Sequence, residues 1–591
     1  MTIHNPDHFA RRPLADHSVD ARMLLLAAMA VVVGSGGAVG AWLLLKMIAL
    51  ATNLFWFGRL SARPALITDS AIGLGVLVIP LIGSLIVGYM ARYGSEKIRG
   101  HGIPEAIETI LFGESRLSVK VALLKPLSAA VSIGSGGPFG AEGPIIMTGG
   151  AIGSLFAQCF HLSAAERKTL LVAGAAAGMT AIFGTPLAAI LLAIEVLLFE
   201  WKPRSFVPVV VSVLVSFACR PALIGVGPMF ATASTQPAGL WVIGAAAIVG
   251  LIVGLEATLL STTLYRVEDL FHRLPVHWMW WPAIGAIFVG VGGLIDRHVL
   301  GSGYASIQAL LDGSLAMRVV LALLFVKAIV WLIALGSGTS GGILAPLLIL
   351  GGATGCLLGH FLPGDVGFWA MIGMAGIMSG AMRAPMTGAL FAAELTGHFA
   401  SLPATIASAG GAYAVSVLLM RRSILTEKIA RRGRHILQEY SVDPLDFLQA
   451  GQLMTPNPDT LPGTMSIAAA SAFFAEEAKH RSYPVVDTDG RLLGLVSRTD
   501  ALRWRVTDAH GDGDVSLIET LSDESQPAAH PETPCGLIAD MIIETGIGRV
   551  PIVDAVTGRV VGILSRQDLL KARSAHRHAE TNRSRFAPKS I

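Results

Sequence analysis

Apolar and polar positions divide the chain near residue 421. Before it, apolar segments follow one another at roughly 23–57, 71–92, 118–133, 145–160, 168–199, 205–225, 239–264, 278–296, 317–335, 343–362, 368–397 and 403–420. A clean crossing of a bilayer takes about 20 apolar residues. Some of these segments are shorter and some much longer, and glycine or proline interrupts many of them. Broken, steeply tilted helices packed within protein give this pattern, whereas simple up-and-down crossings do not. Beyond residue 421 the pattern becomes that of a soluble region. There, two β-rich runs, Leu492–Val496 and Val560–Leu564, each lead into a helix with Ser or Asp at its start.

The apolar part repeats itself. Gly134-Ser-Gly-Gly-Pro-Phe-Gly-Ala-Glu142-Gly-Pro144 has a twin in Gly336-Ser-Gly-Thr-Ser-Gly-Gly-Ile-Leu-Ala-Pro346, displaced by 202 positions. Gly149, Gly150 and Gly153 fall on Gly351, Gly352 and Gly355 in the same register. Further on, Pro186 and Glu195 match Pro385 and Glu394, nine residues apart in both copies. The glycines let the backbone turn sharply and let a ligand approach its N–H groups. The prolines are expected at the first helical position, where a missing N–H costs nothing. A helix that starts behind such a loop offers unpaired N–H groups and a positive dipole end to an anion. Transporters built from two such halves place their site where the interrupted helices meet.

Composition agrees with a membrane protein. Hydrophobic residues are 53% and charged residues 14%, against about 25% charge in soluble proteins. The formal net charge of +3 gives no reason to expect nucleic acid. Cys159, Cys219, Cys356 and Cys535 lack metal-ligand spacing and read as small hydrophobes. No metal site is expected, and no Walker A motif or nucleophile elbow is present, so an enzyme is not expected. The first 22 residues contain no signal-peptide pattern and are expected to stay in the cytoplasm. The basic run Arg421-Arg-Ser-Ile-Leu-Thr-Glu-Lys428-Ile-Ala-Arg431-Arg-Gly-Arg434 follows the last apolar segment, which places it and the tail on the cytoplasmic side of a plasma (inner) membrane.

The tail repeats too. Ser482-Tyr-Pro-Val-Val-Asp487, Gly494-Leu-Val-Ser497 and Asp500 match Arg549-Val-Pro-Ile-Val-Asp554, Gly562-Ile-Leu-Ser565 and Asp568. The expected division is a cytoplasmic segment 1–22, a membrane domain 23–435 with halves at about 71–225 and 278–420, and a first tail domain 440–507. A linker 508–530, a second tail-domain core 531–576 and a tail 577–591 complete it.

With Gly100-His-Gly-Ile-Pro104-Glu105, Gly140-Ala-Glu142-Gly-Pro144 and Gly342-Ile-Leu-Ala-Pro346 in this order, residues 23–435 resemble the CLC family of chloride channels and chloride/proton antiporters. Residues 440–575 resemble a tandem pair of CBS domains. The resemblance implies an α-helical polytopic membrane protein with inverted repeats, plus a cytoplasmic α+β CBS pair. It implies a homodimer in membrane lipid with one anion pathway per subunit, chloride as the transported ion, and no required cofactor. It assigns the gating glutamate to Glu142, whose carboxylate can take the anion's place and leave it when protonated. The alternative for Glu142 is a glutamate that only satisfies backbone N–H groups. The anion-binding positions that match are His101, Gly102, Ile103, Gly140, Ala141, Gly143, Ile343, Leu344 and Leu425.

Several positions depart from the family pattern. Family members often carry Ser where His101 stands, Phe where Leu344 stands and Tyr where Leu425 stands. Their proton-coupled members usually have a second glutamate where this chain has Val196, next to Glu195, and valine cannot carry a proton. The expected function is therefore a voltage- or pH-influenced passive chloride conduction gated by Glu142 and regulated by the CBS pair. The alternative is a chloride/proton antiporter whose proton route bypasses Val196. Glu195 and Glu394 read as structural hydrogen-bond acceptors. A CBS-gated divalent-cation channel would need carboxylate rings along a pore, and Glu142 stands nearly alone. In CBS pairs an adenine nucleotide would be held by Ser497, Asp500, Ser565 and Asp568; the alternative role for these residues is helix capping.

Overall fold

The structure is a computed structural model that describes residues 22–232, 239–434, 436, 445, 448–507, 515–521 and 527–581. The expected N-terminal segment except Arg22, residues 508–514 and 522–526 of the expected linker, and the tail from 582 lie outside the described residues. The chain divides between residues 439 and 440 into two compact units.

The membrane unit is built of helices. Its first half runs through α1 (Arg22–Phe57), α2 (Gly75–Tyr93), α3 (Ile103–Phe112), α4 (Val119–Gly134), α5 (Glu142–Gln158), α6 (Ala164–Phe183), α7 (Pro186–Leu192, continued by a π turn Ala193–Leu198) and α8 (Pro203–Leu223). The second half runs through α9 (Leu240–His272), α10 (Trp281–Ile295), α11 (Tyr304–Leu311), α12 (Met317–Leu321), α13 (Lys327–Gly336), α14 (Leu344–Gly359), α15 (Val366–Met382), α16 (Pro385–Thr396) and α17 (Leu402–Leu419). A short α18 (Glu427–Arg431) closes the unit. Seven helical stretches among the described residues are long and apolar enough to cross a membrane.

The long run 168–199 is two helices, because Gly184 turns left-handed at φ 70° and Pro186 opens the next helix. Arg383, at φ 57°, and Pro385 divide the run 368–397 in the same way. Pro144 and Pro346 stand at the third helical position rather than the first, since α5 starts at Glu142 and α14 at Leu344. A proline is equally harmless there, because the first four N–H groups of a helix have no acceptor within it.

Packing repeats between the halves. Helix α1 lies against α6 and α8 as α9 lies against α15 and α17, so both long helices belong with the repeat, which extends beyond 71–225 and 278–420. Close approach explains the matched glycines: a Cβ on Gly149 would stand 2.2 Å from the Gly174 carbonyl, and one on Gly351 would stand 2.6 Å from the Gly373 carbonyl. At the centre, Gly140 and Gly342 form an antiparallel bridge, with the Gly342 N–H donating to the Gly140 carbonyl at 2.9 Å. Residues one repeat apart that pair antiparallel lie across a local two-fold axis, which is the signature of inverted halves.

Among the described residues the tail unit holds two three-stranded sheets. One orders β2 (Leu461–Pro462), β3 (Ser482–Val486) and β4 (Leu492–Ser497); the other orders β1 (Thr455–Pro456), β6 (Val560–Ser565) and β5 (Arg549–Val553). Residues 448–456, expected in the first CBS domain, pack with the second. Thr455 pairs with Ile563, and Ala450 shares a core with Cys535 and Ile538. In turn Leu517, expected in the linker, fills the first core beside Phe474 and Val496. The two hairpins join at Arg491 and Arg559.

Candidate anion site and gate

Three glycine-rich loops meet where the two halves touch. Gly100 bridges to Ser340, and Gly140 to Gly342. The loop at 100–102 presses on the start of α5, since a Cβ on Gly143 would stand 1.9 Å from the His101 carbonyl oxygen. Buried lysines pin two of the glycine turns. Lys125 donates to the carbonyls of Ile98 at 2.8 Å and Gly100 at 2.7 Å, and Lys327, 202 positions on, donates to Val299 at 2.9 Å. Charges this deep are tolerated only when such partners satisfy them.

Glu142 opens α5 and is completely buried. Its carboxylate folds back over two glycines: a Cβ on Gly140 would stand 1.8 Å from Oε2, and one on Gly342 2.8 Å from it. The Tyr304 hydroxyl donates to Oε1 at 3.2 Å and accepts from the Ala141 N–H at 3.2 Å. Oε2 has no hydrogen-bond partner among the described residues. A negative group thus rests in a cradle of small residues between the N-terminal ends of α5 and α14. Whatever displaces it must be negative or must first neutralise it.

The remaining expected positions lie at 101–103, 343–344 and 425. Gly102 turns left-handed at φ 87° and caps α3, which starts at Ile103. Ile343 and Leu344 cap and open α14, and both are fully buried. His101 is 3% exposed, and neither ring nitrogen has a hydrogen-bond partner among the described residues. Leu425 is buried just ahead of α18, where the Tyr265 hydroxyl donates to the Ile424 carbonyl. Lys428 ties α18 to α3 through Glu105 at 2.8 Å.

Val196 and Glu195 lie in the π turn behind α7, which packs against α3. Val196 is 1% exposed in the π turn. The Glu195 carboxylate accepts from the Met386 N–H at 3.3 Å and the Thr387 N–H at 2.8 Å. Glu394 returns the arrangement, accepting from Leu187 at 3.0 Å and Ala188 at 2.7 Å. Each carboxylate caps the helix of the other half, where the dipole favours it.

Comparison with known proteins identifies the family. The family model described as voltage gated chloride channel matches residues 83–417, and the CBS domain model matches 450–507 and 522–575. The chain belongs to the CLC family. Among curated relatives, the H(+)/Cl(-) exchange transporter ClcA of Yersinia pestis bv. Antiqua (strain Angola) is 30% identical over 372 residues, spanning 58% of this chain and 76% of that protein. ClcA of Salmonella arizonae is 29% identical over 368 residues, with the same coverage. The fold matches a slow cyanobacterial Cl−/H+ antiporter at a TM-score of 0.61 and 22% identity, over 70% of this chain and 99% of that one. A eukaryotic CLC transporter matches at 0.58 and 19% identity, over 93% and 99% of the two chains. The chain is a multi-pass membrane protein of a family of chloride transporters, not an enzyme.

Sequence reading missed Tyr304. The signal for it was present in this CLC chain: Gly301-Ser302-Gly303 copies Gly100-His101-Gly102, but displaced by 201 rather than 202, which sets Tyr304 on Ile103. Replacing Tyr304 with Phe removes a hydrogen bond to a charged group, worth about 1.5–3 kcal/mol. The carboxylate then leaves its cradle more easily. The acid midpoint of chloride flux is expected to move up by roughly 1–2 pH units, as read from flux in liposomes over a pH series.

In the tail, Asp500 accepts from the Ser497 N–H at 2.9 Å and hydroxyl at 2.6 Å, while Asp568 accepts from Ser565 at 3.0 and 2.6 Å. Each pair caps the helix that follows, α19 (Arg498–Thr507) or α20 (Arg566–Thr581). The side chains expected to hold a nucleotide are thus engaged with one another.

Proposed function

We propose that this protein exchanges chloride for protons, with Glu142 as the gate and a proton route that does not use Val196. The observation that carries the reading is the Glu142 carboxylate lying over Gly140 and Gly342 between two helix starts. A carboxylate there competes with an anion when ionised and yields the place when protonated. One side chain can thereby link the two ions. Passive conduction, the first expectation from Val196, is less well supported, because the curated relatives with 29–30% identity are named exchange transporters. His101, Leu344 and Leu425 leave backbone N–H groups and one imidazole to choose the anion, and chloride is the proposed one.

The protein is proposed to work as a homodimer in the plasma (inner) membrane, with one pathway per subunit and its CBS tail in the cytoplasm. Apolar side chains such as Leu187, Leu214 and Met386 lie about half exposed on α7, α8 and α16, which suits lipid or a second copy. An adenine nucleotide is the proposed ligand of the CBS pair, near Ser497, Asp500, Ser565 and Asp568. Purified protein in liposomes loaded with chloride and a pH-sensitive dye tests the exchange. Chloride efflux down an imposed gradient should drive proton uptake at a fixed ratio. Chloride efflux with no proton movement would restore passive conduction.

A further inference from the structure

An exchanger with valine at position 196 needs another group to bring protons to Glu142. Three observations single out one side chain. First, the loop at 100–102 lies between the start of α5 and a cavity of about 410 Å³ lined by His101, Glu105, Tyr265, Glu268 and Lys428 among others. Lys428 belongs to the basic run that the charge rule places at the cytoplasmic side, so this cavity faces the supply of protons opposite to the outside. Second, His101 is buried, yet both ring nitrogens lack a hydrogen-bond partner among the described residues. It does not cap α3, whose start is formed by Gly102 without a side-chain cap. A buried polar ring left without partners costs stability unless something else uses it. Third, the twin position across the repeat is Ser302, which does not titrate in the physiological range, so an ionisable ring is not what the turn itself demands.

We infer that His101 is the proton carrier between this cavity and Glu142, filling the role that Val196 cannot. The inference rests on the exchange reading above. The step balances as a proton transfer alone. A hydronium ion in the cavity gives a proton to the lone-pair nitrogen of the neutral ring, leaving water. The other ring nitrogen then gives its proton, along intervening water, to the Glu142 carboxylate. The ring is left neutral as the opposite tautomer, and a ring turn restores it. No bond other than N–H and O–H changes, and nothing is oxidised or reduced.

The surroundings link this proton to the anion. The charged groups that face the ring are Glu105 on α3, Lys125 on α4 and Lys428 on α18. Glu105, which favours a positive ring, is shared with Lys428 at 2.8 Å and Arg432 at 3.5 Å. A chloride ion entering beside the ring offsets the charge that burial and the lysines oppose. The protonated ring is therefore favoured while chloride is bound, which links proton loading of the ring to occupancy of the anion site.

The test uses full-length protein in liposomes under a chloride gradient, with chloride efflux and proton uptake recorded together. Wild-type protein is run beside His101→Asn, which keeps an N–H donor for an anion but cannot carry a proton. His101→Ser is the second variant, chosen because Ser302 shows that such a turn accepts serine. The ratio of protons to chloride is expected to fall at least tenfold in each variant that passes chloride, whatever its absolute chloride rate. Adding imidazole to a His101→Ala sample is expected to restore part of the proton uptake. An unchanged ratio in either Asn or Ser variant would overturn the role of His101. A wild-type protein that moves no protons would instead overturn the exchange reading, so the two failures are told apart by the wild-type trace.

Discussion

Glu142→Gln protein in liposomes is expected to pass chloride at a rate that no longer follows acidity between roughly pH 4 and 8, and to move no protons with it. Glutamine has nearly the size of glutamate and can still accept the Tyr304 hydroxyl, so the fold around the cradle is kept. What it lacks is the charge that binds it between the helix starts and the proton that releases it. In the native protein the carboxylate blocks the anion's place when ionised, and acid frees it. Flux should therefore rise as pH falls, by up to tenfold per unit around the gate's own titration. A Gln variant that kept the wild-type pH profile would remove Glu142 from the gate.

The second large effect separates two glycines three positions apart. Gly140→Ala sets a methyl group 1.8 Å from the Glu142 Oε2 position, and Gly143→Ala sets one 1.9 Å from the His101 carbonyl oxygen. The first obstacle is the mobile end of a side chain, which can swing away. The second is backbone tied into the turn that Lys125 pins through the Gly100 carbonyl. Gly140→Ala is thus expected to fold, to expel the carboxylate from its cradle and to flatten the pH profile of flux at least tenfold. Gly143→Ala is expected to lose several kcal/mol of stability and to run as aggregate on size exclusion. Equal behaviour of the two variants would show that the carboxylate does not rest where Gly140 leaves room for it.

Much of this site could be read from residues alone, because its devices are local. Glycine turns before Glu142 and Leu344 announce helix starts, and the repeat tells that there are two of them. Tyr304 escaped because the spacing between halves slips by one residue between the loops at 100 and 140, so a single offset does not align both. The capping exchange between Glu195 and Glu394 was legible as a matched pair of acceptors. Its crossed form was not, since each bond joins residues about 190–210 apart and leaves no trace in local pattern. The same holds for β1, which is two residues long and pairs with a strand more than a hundred positions away. Strands that short have no alternation to read. His101 was visible as a departure from the family pattern, but its unpartnered ring is a property of the packed loop.

The central claim is that the Glu142 carboxylate and the transported anion compete for one place between the starts of α5 and α14. Anomalous diffraction from bromide-soaked crystals of the native protein and of Glu142→Gln tests it most directly. The account predicts a bromide peak within hydrogen-bond reach of the Leu344 or Ala345 amide in the glutamine variant, where the native crystals hold the carboxylate. No bromide at that place in the variant, or bromide there in the native protein with the carboxylate still over Gly140, would contradict it.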